Sequence, residues 1–265
     1  MRAAQQNYKP VCKVKRPGVH ALEGLQAIAH GSDSVLYFQW RKSRGSVEKF
    51  HGAVVDHCAT EHTRVFREVA QLGEKLAQLD TVVGTQTKAE VAIVYDYECR
   101  WATDDTAGPR NKSKDYFDIC IEHYRAFWSM GVNADVIDQM APLDQYKLVI
   151  APMSYLTRPG FAEKVQKFVE QGGTFVTTYF SGIVDETDLC HLTGFPGPFR
   201  KLCGVWAEEI DALYEDESVS VSVDTKAGFS GIFNAGYLCD IVHLEGASPC
   251  DLRQRVLRRQ PGRHA

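Results

Sequence analysis

The chain has 265 residues, 44% hydrophobic and 24% charged. That is an ordinary globular composition, long enough to bury about three-quarters of its unfolded surface without disulfide or metal staples. Thirty Lys+Arg against 34 Asp+Glu leaves a net charge of −4, which excludes a broadly basic nucleic-acid binder. No apolar run approaches the roughly 18 residues of a membrane span, and the start MRAAQQN lacks the apolar stretch of a signal peptide. A soluble, cytoplasmic protein with no nucleic-acid or membrane partner is expected.

Residues 19–30 place Leu22, Leu25, Ile28 and Ala29 on one face, which predicts a helix started by Pro17-Gly18 and ended by Gly31. SVLYFQW at 34–40 is β-branched and aromatic, and predicts a strand. A polar, glycine-containing loop of about seventeen residues follows at 41–57; loops beyond about 12–15 residues are more often functional than accidental. Residues 60–79 form an amphipathic helix along Val65, Phe66, Val69, Leu72, Leu76 and Leu79. A domain boundary is placed in DTVVGTQTK, residues 80–88. Beyond it the pattern changes. Strands are predicted at 91–95, 134–137, 148–150 and 174–178, and helices at 115–130 and 161–170. The stretch CRWATDDTAGPRNKSK is read as polar connection. Strands alternating with helices argue for a parallel sheet covered on both faces. The strict alternation SVSVSV at 218–223 predicts a half-exposed strand.

Several chemistries lack their residues. No G-x-G-x-x-G follows the strand VAIVY, so dinucleotide binding is not indicated. Ser181 follows a strand, but bulky Tyr179 and Phe180 precede it, which suits a loop hydroxyl or helix cap better than a nucleophile elbow. The eight cysteines, at 12, 58, 99, 120, 190, 203, 239 and 250, have no metal or redox spacing and are expected to be small buried hydrophobes. No metal or cofactor is expected. The long loop is richer, with Arg41, Lys42, Arg44, Glu48, Lys49, His51, Asp56 and His57. Glu48 and His51 are three apart, on one side of a helical turn if one forms, and such a pair can bind sugar hydroxyls. A merely solvated polar loop is the plainer reading. The last fifteen residues carry five arginines against one aspartate and no aromatic residue. A frameshifted end, a basic interaction tail and a short disordered end all fit that composition.

The run AHGSDSVLYFQWRKSRGSVEKFHGA resembles the end of the catalytic barrel in glycoside hydrolase family 42, the bacterial β-galactosidases. GFPGPFRKLCGVWAEEIDALY is likewise similar to that family, and about 245 of the 265 residues share the resemblance. It implies a fold in four pieces. Residues 1–84 would be the end of a (β/α)8 barrel, an incomplete remnant. Residues 85–213 would be a trimerisation domain, flavodoxin-like and three-layered, related to class I glutamine amidotransferases without their catalytic cysteine. Residues 214–247 would begin a small β-rich domain, and 248–265 form a non-homologous basic tail.

The same resemblance implies hydrolysis of terminal β-D-galactosides with retention, which takes two carboxylates about 5–5.5 Å apart. The family's acid/base lies on an Asn-Glu pair far upstream, and its nucleophile about eight residues before an Asn-Trp dipeptide. Here that dipeptide reads Asn7-Tyr8, and residues 1–8 contain no glutamate. Neither catalytic carboxylate is expected in this chain, which is then inactive alone. One wall of the galactose subsite carries over: Phe38, the tetrapeptide Glu48, Lys49, Phe50 and His51, and Tyr8 in place of a stacking tryptophan. The implied partners are the galactoside and a homotrimer, weakened by the missing barrel. The rival expectation is a non-enzymatic α/β oligomerisation module.

Overall fold

A computed structural model describes residues 8–112, 114–224, 230–245 and 255–256. The chain forms two compact units, Met1–Thr87 and Lys88–Ala265. In the first, helix α1 spans Val19–Ala29, entered through Gly18 at φ 84°, a left-handed conformation that glycine adopts freely. Helix α2 spans Arg64–Leu76 and is capped by the Thr63 hydroxyl, which accepts from the Phe66 N–H. The two helices pack together and share a buried polar seam. His20 of α1 is fully buried, 5.8 Å from the Tyr37 ring and 4.0 Å from Glu68 of α2. Burial, and then the Lys15 charge, holds the His20 imidazole below its ordinary value.

The predicted strand over 34–40 is not formed as one. The segment keeps a two-residue alternation, with Leu36, Phe38 and Trp40 outward and Val35, Tyr37 and Gln39 half-buried. A strand is defined by its ladder of bonds. Among the described residues the ladder is short: the Gln39 and Trp40 carbonyls accept from the Val54 and Val55 N–H groups at 3.0 and 2.7 Å.

The second unit is built on a parallel sheet. Strands β1 (Val91–Val94), β2 (Ala134–Ile137), β3 (Leu148–Ala151) and β4 (Thr174–Thr177) lie in the order β2-β1-β3-β4. All four residues of β1 are buried, as expected of a strand covered on both faces. One face, through Ile93 and Ile150, packs on Cys99 of α3 (Tyr97–Asp105) and on Tyr116 and Cys120 of α4 (Tyr116–Ser129). The other, through Ala92, Val94, Val149 and Ala151, packs on Phe161, Val165 and Phe168 of α5 (Phe161–Glu170). Helix α5 gives way to β4 through Gly172 at φ 97° and Gly173, where a Cβ would fall 2.3 Å from the Phe168 ring, so only glycine fits that turn.

Helix α3 corrects the reading of its sequence as polar connection. Its polar residues face water, while Cys99 and Thr103, four apart, are buried beneath them. The cysteine expectation is corrected too: of the seven described, Cys99 and Cys120 are buried, and Cys58 and Cys190 are exposed.

Past a short helix α6 (Arg200–Cys203), strand β5 (Val205–Ala212) pairs antiparallel with β8 (Leu238–Leu244). That ladder runs across residues 213 and 214, where the sequence reading drew a boundary. Strand β6 (Val219–Asp224) pairs with β7 (Ser230–Ala235) and with β9 (Arg255–Val256). The remainder of the basic tail, and Asn7, lie outside the described residues. No described helix is long and apolar enough to cross a membrane.

One residue of β8 is placed against its own chemistry. Asp240 Oδ1 is buried and makes no hydrogen bond among the described residues. Burial raises its carboxyl above the ordinary value, opposed by a backbone bond from Phe180. Between the ordinary and the raised value, the native state keeps a proton that the unfolded chain has released. The stability tied to that proton is present below the ordinary aspartate range and is lost as pH rises through the raised value. Asp240→Asn is expected to raise the urea midpoint at neutral pH, with the gain shrinking towards about pH 4, the ordinary aspartate range. A lower midpoint for the variant at pH 7 would contradict this assignment.

Candidate functional site

The loop that leaves the 34–40 segment turns through a short 3-10 helix, Ser46–Glu48. Residues three apart eclipse in such a turn, which sets Glu48 and His51 on one side. The His51 N–H donates to the Glu48 carbonyl at 2.9 Å. The chain then re-enters the interior: His51 is 1% exposed, and Ala53 and Val54 follow it into the core.

Around His51 two aromatic rings converge. Phe38 meets it edge-on, with centroids 5.3 Å apart at 88°, and Tyr8 lies tilted at 5.6 Å. The Tyr8 hydroxyl donates to Glu48 Oε1 at 2.8 Å. Four of the six expected residues, Tyr8, Phe38, Glu48 and His51, thus form one cluster of a carboxylate, an imidazole and two half-exposed rings. The two rings and Glu48 keep part of their surface open to solvent, whereas the His51 imidazole is covered. Lys49 and Phe50 are both exposed, Phe50 at 66%. The stacking role expected of Tyr8 left out its hydroxyl, which orients Glu48; the pairing joins residues forty apart, and no local pattern marks it.

The loop is pinned beyond the cluster. Lys42 Nζ donates to Asp56 Oδ2 at 3.0 Å, and His57 Nε2 meets the Ser43 carbonyl at 2.9 Å. Burial alone would raise the Asp56 carboxyl, but the Lys42 ammonium and the His57 N–H together hold it below its ordinary value.

In the second unit the carboxyl end of the parallel sheet, where such folds place ligands, is filled by the chain itself. Asp96 is fully buried. Its Oδ1 accepts from the Glu98 and Cys99 N–H groups at the start of α3, and its Oδ2 from the Gln139 N–H at 3.2 Å. Arg158 lies 3.5 Å from Asp96 and 3.4 Å from Glu98. Sequence reading passed over this cluster, although Asp96 after a buried strand and Glu98 in the first turn form a helix-start signal. The turn after β3 carries Met153 at φ 40°, not a nucleophile. Burial pushes the nearby thiols of Cys99 and Cys120 up to about 11 and about 12, so neither is a thiolate near neutral pH. Ser181 is a structural hydroxyl, accepting from the Ser154 N–H at 2.9 Å and from Thr177 Oγ1 at 2.8 Å. Among the described residues no group of three or more His, Cys, Asp or Glu is placed to hold a metal.

Comparison with known proteins accounts for both units. The family model for the β-galactosidase trimerisation domain matches residues 89–260, and that for β-galactosidase matches residues 1–79. The chain is 58% identical over 245 residues to β-galactosidase BglY of Alicyclobacillus acidocaldarius, covering 92% of this chain and 36% of that protein. It is 56% identical over 243 residues to β-galactosidase Pbg of Clostridium perfringens, covering 91% and 35%. The crystal structure of the cold-adapted β-galactosidase from Rahnella sp. R3 superposes with a TM-score of 0.86 at 53% identity, over 93% of this chain and 37% of that one. The chain thus spans about a third of the length of the relatives it matches. Its mixed α/β fold, with a parallel sheet, is that of these structures. On the match of the trimerisation-domain model to well over half its length, the chain belongs to glycoside hydrolase family 42, the β-galactosidases.

Proposed function

We propose that this chain is part of a retaining β-galactosidase acting on terminal β-D-galactosides, in which it supplies one wall of the galactose subsite and the assembly domain. The observation that carries the reading is the convergence of Tyr8, Phe38, Glu48 and His51. Glu48 and His51 bind galactose hydroxyls, while Phe38 and Tyr8 take an apolar face of the ring; Lys49 and Phe50 border the same wall. Helices α1 and α2 support reading residues 1–84 as the end of a (β/α)8 barrel. The order β2-β1-β3-β4 supports a flavodoxin-like, three-layer domain over 85–213, akin to class I glutamine amidotransferases. Residues 214–247 then begin the β-rich domain, 248–265 are the basic tail, and the working protein is a cytoplasmic homotrimer.

Both carboxylates of the double displacement lie outside residues 1–265, so this chain binds and assembles but does not turn over. Nitrophenyl-galactoside hydrolysis above buffer by the purified chain would sink that assignment. Binding is tested separately, by following the His51 ring signals during titration with galactose and with glucose, its C4 epimer. Galactose is expected to shift them more strongly, and Glu48→Gln to weaken the response about tenfold, the cost of one hydrogen bond to a charged group. Identical responses to both sugars in wild type and variant would defeat the wall assignment.

A further inference from the structure

The loop that carries Glu48 and His51 has a second concavity that the galactose reading does not use. It is a cleft of ≈ 430 Å³ lined by Arg41, Lys42, Arg44 and His57. Its lining is entirely cationic or imidazole, which is unusual for a small-molecule cleft of about 300–1,000 Å³, normally apolar with a few polar groups. Arg41 bridges to Val55, the Lys42 N–H donates to the Val55 carbonyl at 3.0 Å, and the Val55 N–H donates to the Trp40 carbonyl at 2.7 Å. These bonds bring the cations of residues 41–44 beside His57 from the far end of the loop. The Ser43 carbonyl can only accept, so His57 Nε2 carries the proton of that 2.9 Å contact, which fixes the ring against the same segment.

One carboxylate, Asp56, belongs to the neighbourhood and is paired with Lys42 at 3.0 Å. The Lys42 side chain is 14% exposed and committed to that pair, whereas Arg41 and Arg44 are exposed and face the cleft. Three cations against one carboxylate leave the cleft positive in a protein whose net charge is −4. Two guanidinium forks are the groups that best match the geometry of a tetrahedral or planar oxyanion.

We infer that this cleft is an anion site for a phosphate group, free or carried as a phosphomonoester. Arg41 and Arg44 bind the oxyanion; Asp56 competes for Lys42, with which it is paired at 3.0 Å, and His57 lines one side.

The test uses the full chain, following His57 ring signals during titration with inorganic phosphate at constant ionic strength balanced by chloride. A saturable shift is expected. Arg41→Gln with Arg44→Gln should raise the apparent dissociation constant at least about tenfold, as loss of charge-assisted bonds implies. Arg67→Gln, on the exposed face of α2, should leave it unchanged. Asp56→Asn removes the competing carboxylate and should tighten binding, an outcome that misfolding cannot imitate. A parallel titration with glucose 6-phosphate separates the two sources: tighter binding assigns the site to a phosphomonoester, and equal binding to a free oxyanion. A shift that rises linearly and equally with chloride, or a double variant that binds phosphate as tightly as wild type, overturns the inference.

Discussion

Asp96→Ala is expected to cost about 3–5 kcal/mol, the range for removing one partner of a buried ion pair. Its urea midpoint should fall accordingly, and the loss should be read by probes in the second unit. Three effects combine. The first turn of α3 loses its cap, since Asp96 Oδ1 holds the Glu98 and Cys99 N–H groups. The buried Gln139 N–H, 3.2 Å from Oδ2, loses its acceptor. The Arg158 guanidinium keeps only Glu98 of its two carboxylates. Asp96→Asn keeps the shape and one acceptor oxygen but not the charge, and should cost distinctly less than alanine. Gln139→Ala should recover little of the loss in the double variant, because both residues belong to one network and their effects do not add. An unfolding free energy within about 0.5 kcal/mol of wild type for Asp96→Ala, the range of ordinary surface substitutions, would show that the network is ornamental.

That cluster also shows where sequence reading reaches its limit. The buried strands 91–94 and 148–151 and the helix 161–170 were legible because each is a short apolar or periodic run bounded by glycine or polar residues. Helix α3 was not. Its buried face is only Cys99 and Thr103, and the rest of YECRWATDD reads as polar connection; what nucleates it is Asp96, whose cap is visible only once the strand before it is known to end there. The segment 34–40 failed the other way. Its composition demands a strand, but a ladder needs a neighbour, and neighbours are a property of the fold. In the site, spacing alone does not give the turn at Ser46–Glu48; it says only that Glu48 and His51 share a side if a turn forms, and the turn does form. The Tyr8 hydroxyl on Glu48 was not, since it joins residues forty apart and depends on how the 34–57 segment returns. Family resemblance supplied Tyr8 and Phe38 as candidates; the fold sets their rings against His51.

The chain is expected to self-associate towards three copies in sedimentation equilibrium, in a concentration-dependent way across the micromolar range. The family model covering residues 89–260 is described as a trimerisation domain, and the surface of the second unit suits that role. Tyr97 and Trp101 of α3 are 60% and 63% exposed, with ring centroids 6.0 Å apart, and Phe117 of α4 stands 42% exposed beside Tyr95. Arg100 lies over the Phe117 ring at 5.7 Å and donates to the Tyr95 hydroxyl at 3.0 Å, which continues the patch as one aromatic and guanidinium surface. Exposed clusters of large aromatics with an arginine are the composition of interface hot spots, and a monomer seldom leaves them in water. A three-fold ring needs a heterologous contact that closes, so each copy must offer this patch to a different surface on its neighbour. Obligate assembly usually buries above about 2,000 Å² in total. Trp101→Glu puts a charge at the centre of the patch and should raise the dissociation constant at least about thirtyfold, the effect of losing a hot spot worth about 2 kcal/mol. Its helix should stay intact, since Trp101 is 63% exposed and caps nothing. A strict monomer at high micromolar concentration would mean that the decisive contacts lie outside this domain. A wild-type trimer unmoved by Trp101→Glu would place the interface on another face of the second unit.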